Sequence, residues 1–299
     1  ASLVNDTYTT VIESGLIAAP NGGVIDVEGT VFRIGDVTVP EGRAEVILRT
    51  DSTITAALSL LDLEPFGLMT KAGLATDLAE GRALVRSDIA FDLTRIIALP
   101  DVSYTVTGTL NDVISDKLIP RRRIAGDALA LRASRDGISI AGRGTLGILP
   151  VDAVWTQDFG PDARSGSRVE GTAELSQKML DEFGIGLPPG SLGGQGVAQV
   201  TVDLFRDAAP RFTLVSDMNR VGIRLAALDW SKARNRTGRL QVEGRLGTQP
   251  SIDRLVCEAP GLSASGVVDL TPSGALDVAQ FDRVRLGGWL DGPVALRGR

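Results

Sequence analysis

The chain has 299 residues, no histidine, and a net charge of −6 from 31 basic and 37 acidic side chains. The acidic balance argues against nucleic acid or an anionic membrane surface as the main partner, and without histidine every Ser-His-Asp or Cys-His arrangement and the commonest metal ligand are gone. Hydrophobic residues make up 43%, aromatics 4%, and glycine numbers 35, a balance that suits many short strands and turns better than a helix bundle.

In chain order, residues 1–20 mix apolar and polar positions and end in the turn Pro20-Asn21-Gly22-Gly23. Short extended runs follow at 24–27, 29–33 and 36–39, separated by turn residues, and 44–49 (AEVILR) reads as a strand. A strand starting at 53 leads into a short apolar helix over about 57–63, which Pro65 breaks. Residues 104–110 are a strand, and 111–119 a helix or a bent segment, followed by a linker over 120–125. Residues 129–133 and 138–143 flank Ser134-Arg135-Asp136-Gly137, a hairpin turn carrying Asp-Gly. A strand over 148–157 precedes an exposed tip at 158–167.

Residues 168–204 read as strand, helix, Gly/Pro loop, strand. Ser176 is the N-cap of a helix over 177–183 and Gly184 its stop. From Gly196 the chain alternates, with Ala198, Val200, Val202 and Leu204 on one face and Gln199, Thr201 and Asp203 on the other. Further strands are expected at 211–216, 220–225, 239–246, 255–258, 262–270 and 275–286. The stretch 227–235 is expected as a polar connection, and Thr271-Pro272-Ser273-Gly274 as a turn. Strands at this spacing, never alternating with long helices, indicate an all-β protein.

The pattern strand, helix or bend, linker, return strand recurs at about 53–93, 104–142 and 168–204, each return opening near a Gly-x-Ala tripeptide. The alternative is chance recurrence in a chain rich in glycine and alanine. No linker marks a domain boundary, so 1–299 reads as one elongated segment.

Motifs with chemical associations have structural readings. Gly142-Arg143-Gly144-Thr145-Leu146-Gly147 fits GxGxxG, but a strand follows where a phosphate-binding helix is needed. Arg121-Arg122-Arg123 is a solvated loop in an acidic chain, and Asp112, Asp116, Asp181 and Glu182 are surface charge. The single cysteine, Cys257, is a small apolar filler. Met179, Leu180 and Phe183 give the third helix an apolar side. No catalytic constellation, metal site or cofactor is expected.

Leu228-Asp229-Trp230 followed by Lys232, and above all LSASGVVDLTPSGALDVAQFDRVRLGG (262–288), resemble the AsmA-like, YhdP-type and TamB-related proteins of Gram-negative cell envelopes. The matching patterns are Leu-x-Ala-x-Gly at 262–266 and Val-x-Leu-Gly at 284–287, with VRSDIAFDL and DVSYTVTGTLNDV similar too. The resemblance implies an elongated, strongly twisted antiparallel sheet curled into an apolar groove, with a few short helices between strands. It implies a periplasmic position, tethered to the inner membrane by a segment outside this chain. It also implies non-enzymatic movement of phospholipid between inner and outer membranes, with acyl chains and membrane or envelope proteins as partners. On that reading Leu129, Leu131, Ile138, Ile140, Ala198, Val200, Val202, Leu204, Leu240 and Val242 line the groove. A scaffold with a filled β-sandwich core is the alternative.

Overall fold

The computed structural model describes residues 1–119, 121–160, 163, 165–185, 187–188, 190–272 and 276–297. Strand accounts for 60% and helix for 8%, so the antiparallel all-β architecture with a few short helices is the one that forms. Nineteen strands belong to one hydrogen-bonded sheet and three to another; among the described residues the large sheet does not close into a barrel. The chain divides into two compact units, Ala1–Gly144 with Thr156–Ala163, and Thr145–Trp155 with Arg164–Arg299.

The first unit holds β1 (Ser2–Val4), β2 (Thr7–Val11), β3 (Leu16–Ala18), β4 (Val24–Asp26), β5 (Val31–Ile34), β6 (Arg43–Thr53), α1 (Ile54–Leu61), α2 (Leu68–Ala72), β7 (Glu80–Asp92), β8 (Ser103–Ile119), β9 (Arg122–Ser134) and most of β10 (Gly137–Leu146). β1 pairs with β2, β2 with β5 and β5 with β6, and β6 to β9 form an antiparallel meander.

Directly opposed residues share a face of the sheet. Ala44 and Val46 of β6 oppose Phe91 and Ile89 of β7, and Tyr104 and Leu110 of β8 follow on that face. The other face carries Arg43 opposite Asp92 and Asp51 near Arg82, whose Nε lies 2.6 Å from Asp51 Oδ1. Helix α1 covers one end of the apolar face. Ile54 is buried with Ala79, Ala83 and Val113, and Leu58 packs against them. Ala56 is buried instead with Ile25 and Val27, with Leu60 packed beside them. The helical period thus splits α1 between two clusters.

Three local expectations are corrected here. Helix α1 starts at Ile54 rather than 57, because Thr53 Oγ1 accepts from Ala56 N at 3.0 Å and caps it there. Residues 36–39 are a turn, not a strand: Asp36 Oδ1 accepts from Thr38 N at 2.8 Å and from its hydroxyl at 2.6 Å. Residues 111–119, expected as a helix or a bent segment, are the latter and continue β8 as a bent strand. Asp112 turns the backbone at φ 51°, the register against β7 slips between Glu80 and Arg82, and Val113 pairs with Gly126. The expected linker over 120–125 is accordingly strand from Arg122, while Pro120 lies outside the described residues.

Several carboxyls of this unit sit below their ordinary pKa of 3.8. The Arg82 hydrogen bond lowers Asp51, the Thr70 amide lowers Asp62, the Lys117 ammonium lowers Asp77 and the Arg86 guanidinium lowers Asp88. Groups with depressed folded pKa values contribute stability above the unfolded value and lose it as pH falls through the folded value. Urea midpoints are therefore expected to lose this contribution only below about pH 4, and a loss beginning above pH 5 would contradict it.

The second unit holds most of β11 (Leu149–Asp158), then β12 (Ser167–Leu175), α3 (Gln177–Phe183), β13 (Leu192–Gly194), β14 (Gly196–Leu204), β15 (Arg211–Ser216), β16 (Val221–Leu225), β17 (Trp230–Lys232), β18 (Arg239–Arg245), β19 (Ser251–Ala259), β20 (Leu262–Leu270), β21 (Leu276–Leu286) and β22 (Leu290–Arg297). From β12 through β14, β15, β18, β19, β20 and β21 to β22, each strand pairs antiparallel with the next. β13, β16 and β17 form the small separate sheet. The strand expected over 255–258 is the longer β19. The polar connection expected over 227–235 contains β17, with Trp230 and Lys232 both buried. Of the expected turn at 271–274, Ser273 and Gly274 lie outside the described residues, as do Ala275 and, in the tip at 158–167, Pro161, Asp162 and Arg164.

Candidate functional site

The register of the second unit sorts its strands into two chemically opposite faces. One row across the sheet runs Val169, Val202, Phe212, Gly244, Ile252, Val268, Ala279 and Leu296. The adjacent row runs Gly171, Val200, Leu214, Val242, Leu255, Gly266, Phe281 and Val294. Neither row contains a polar side chain over eight strands. At about 4.8 Å per strand, seven steps make a surface roughly 34 Å across. On the reverse face Arg168 Nε lies 2.6 Å from Asp203 Oδ1, Arg245 Nη2 lies 3.1 Å from Asp253 Oδ1, and Arg285 Nε lies 3.2 Å from Asp291 Oδ2. That face is built for water.

One end of the apolar face is covered. Ala173, Leu175 and Ala198 are buried with Leu149, Met179, Met218 and Val221, the last three coming from α3, a turn and the small sheet. Helix α3 forms where its cap predicts: Ser176 Oγ accepts from Lys178 N at 3.2 Å, and Gly184, at φ 64°, ends it in the left-handed conformation that glycine adopts freely. Met179 and Leu180 are buried while Phe183 is 37% exposed. Ser176→Ala is expected to cost about 1 kcal/mol of stability, read as a lowered urea midpoint.

The small sheet is locked by two polar side chains that the sequence reading left in a loop. Trp230 Nε1 donates to the carbonyl of Pro260 at 2.9 Å. Lys232 is 3% exposed, and its Nζ donates to the carbonyls of Met218 at 2.7 Å, Val221 at 2.8 Å and Ala233 at 3.5 Å. Burial pushes the Lys232 ammonium below its ordinary pKa, against a smaller pull upward from Asp217. Burial likewise raises the Cys257 thiol. Cys257 packs against the core cluster as a small apolar side chain.

The first unit repeats this arrangement. In each unit a strand ends in a hydroxyl residue that caps a helix, Thr53 in β6 and Ser176 after β12. The return strand then pairs antiparallel beside it, with Thr53 opposite Arg82 and Leu175 opposite Gly196. The helix lies over one end of the apolar face. The segment 104–142 has the two paired strands without a helix.

The ten residues picked from the sequence fall into three groups. Leu131, Ile138, Ile140, Val202, Leu204 and Val242 are half-buried, outside the buried clusters and the side chains packed against them. Leu129 packs against the Ile54 cluster, and Val200 and Leu240 against the Met179 cluster. Ala198 is 0% exposed and belongs to the core beneath the cap. Leu131 and Leu129 extend the apolar face of the first unit through Gly108 and Leu110 of β8. The residues missed are Val169 of β12, Phe212 and Leu214 of β15, and those of β19 to β22, among them Leu255, Phe281 and Val294. Alternation in 262–270 marked β20, but register slips in β19, β20 and β21 break the simple period.

Two open cavities lie on polar surface. One, of about 780 Å³, is lined by Arg49, Asp51, Arg86, Thr107 and neighbours on the charged face of the first unit. The other, of about 880 Å³, lies beside the small sheet of the second. No helix among the described residues is long and apolar enough to cross a membrane. No protein-family model, curated protein or solved structure matches the chain.

Proposed function

We propose that the chain binds the acyl chains of phospholipids on its apolar sheet faces and serves, without catalysis, in moving phospholipid between the inner and outer membranes. The observation that carries this reading is the pair of all-apolar rows across eight strands of the second unit, most of whose side chains away from the cap are half-buried, with Val268 and Ala279 buried and Leu296 exposed. A sheet face of this kind leaves aliphatic surface for a ligand that is itself aliphatic. One leaflet of a bilayer contributes about 15 Å of hydrocarbon, half of the roughly 30 Å core, so the roughly 34 Å span accommodates an extended tail. The polar reverse face keeps the sheet in water. The resemblance to AsmA-like envelope proteins points the same way, to a groove-shaped periplasmic segment tethered to the inner membrane and working with partners at both membranes.

The test is to purify the chain and identify bound phospholipid by mass spectrometry. Stoichiometric phospholipid is expected. A lipid-free chain that also fails to take up phospholipid from vesicles would leave the filled scaffold as the better reading.

A further inference from the structure

We infer that the second unit carries a site for a phosphate-type oxyanion in the cavity of about 880 Å³ lined by Gly194, Gln195, Asn219, Arg220, Arg234 and Asn235. The lining is distinctive for a chain of net charge −6: it contributes two guanidinium groups and three carboxamides and contains no acidic side chain. Among the described residues neither guanidinium is engaged by a carboxylate, and no hydrogen bond engages the carboxamides of Gln195, Asn219 or Asn235. Several arginines of this unit pair with carboxylates across the sheet, as Arg168 does with Asp203 and Arg285 with Asp291. Asp217, on the same turn, accepts from the amide of Asn219 at 2.9 Å and directs its charge toward the buried Lys232 ammonium.

The backbones of the two arginines are tied together, and the Arg234 side chain is placed by its surroundings. Arg220 sits at φ 64° and donates its amide to the carbonyl of Arg234 at 3.0 Å, which ties the two segments together. The Arg234 side chain lies over a patch of glycine backbone. A Cβ at Gly193 would stand 3.1 Å from Arg234 Nη2, one at Gly194 would stand 3.2 Å from its Nε, and one at Gly222 would stand 3.0 Å from its Cγ. These three positions without side chains leave the guanidinium a seat that larger residues would fill. A planar guanidinium presents parallel donors that match two oxygens of a phosphate, and the carboxamides of the same lining supply further N–H donors for a third. Carboxylate ligands fit the same donors less fully, having only two oxygens.

The site does not depend on the acyl-chain reading, because a lipid headgroup and a free phosphate in solution present the same oxyanion. Binding of inorganic phosphate to the 299-residue chain is measured by calorimetry. Flotation with phosphatidylethanolamine–phosphatidylglycerol vesicles is measured in parallel. Arg220→Gln and Arg234→Gln are each expected to weaken the responding arm by about tenfold, as loss of a charge-assisted hydrogen bond does. Arg234→Lys, which keeps the charge and loses the planar fork, is expected to fall between. Circular dichroism checks that each variant folds, and Arg220→Gln, at an exposed position, carries the test if Arg234 variants unfold. A response confined to phosphate identifies a free anion, and one confined to vesicles identifies a headgroup; either supports the site when the arginine variants weaken it. Binding that is absent from both arms, or unchanged in folded variants, overturns it.

Discussion

Replacing Lys232 by methionine is expected to lower the unfolding free energy by about 3 kcal/mol, measured by urea denaturation. Methionine restores most of the aliphatic volume, so the loss isolates the ammonium. Two bonds at 2.7 and 2.8 Å to the carbonyls of Met218 and Val221 disappear, and the 3.5 Å contact to Ala233 is too long to count for much. Bonds to a charged donor contribute about 1.5–3 kcal/mol each, and removing the buried charge recovers part of that through desolvation. Those carbonyls belong to the turn and strand that close the cap, so amide exchange is expected to rise first at Val221 and around Lys232. A variant as stable as the parent would mean that burying the charge offsets all that its bonds contribute.

The same residue gives a pH signature with a definite sign. Burial holds the folded-state pKa of Lys232 below 10.5. Between that lowered value and 10.5 the unfolded chain binds the proton more strongly, so stability rises with pH across this window. Below the folded value both states are protonated and the contribution is constant. The stability difference between the parent and Lys232→Met is therefore expected to grow as pH rises toward 10.5. A difference that shrinks over that range would contradict the assignment.

Much of this fold was legible from local signals. The cap at Ser176, the stop at Gly184, the Asp-Gly hairpin after Ser134 and the alternation from Gly196 to Leu204 each depend on neighbours in sequence, and each forms. Where the reading failed or stayed open, longer-range pairing decided. Residues 111–119 read equally as a helix or a bent segment, and β9 settles them as a bent strand through Val113 opposite Gly126 and Ser115 opposite Ile124. Residues 230–232 are too few to show any period. They become a strand because Ile223 lies opposite Lys232 and Leu225 opposite Trp230, and because backbone carbonyls supply partners for a lysine that sequence alone places in solvent. For the candidate site, alternation told which residues share a face but not how much of that face the cap would cover. Hence Ala198 and Val202, two residues of one clean alternation, have different environments: the first is sealed under Met179 and Met218, the second stands beyond the cluster.

Val202→Asp is expected to reduce bound phospholipid by about tenfold, equivalent to about 1.4 kcal/mol of binding, and to cost about 2 kcal/mol of stability. Val202 stands opposite Val169 on one side and Phe212 on the other, so the carboxylate would have apolar neighbours on both adjacent strands. The matched control is Val215→Asp, the same chemical change on the adjacent strand. Val215 is 41% exposed, on the reverse face, opposite Gln199 and Gln241, where a carboxylate meets water and carboxamides. It is expected to change stability by no more than about 0.5 kcal/mol and to leave bound lipid at the parental level. The comparison separates a face effect from a charge effect, because both variants add one negative charge to an already acidic chain. Equal loss of lipid in both would show that the added charge repels the headgroup wherever it sits. Equal retention in two folded variants would remove the apolar rows from lipid binding. Loss in Val202→Asp alone, with the urea midpoint showing it still folded, assigns the tails to the face that Val169, Val202 and Phe212 share.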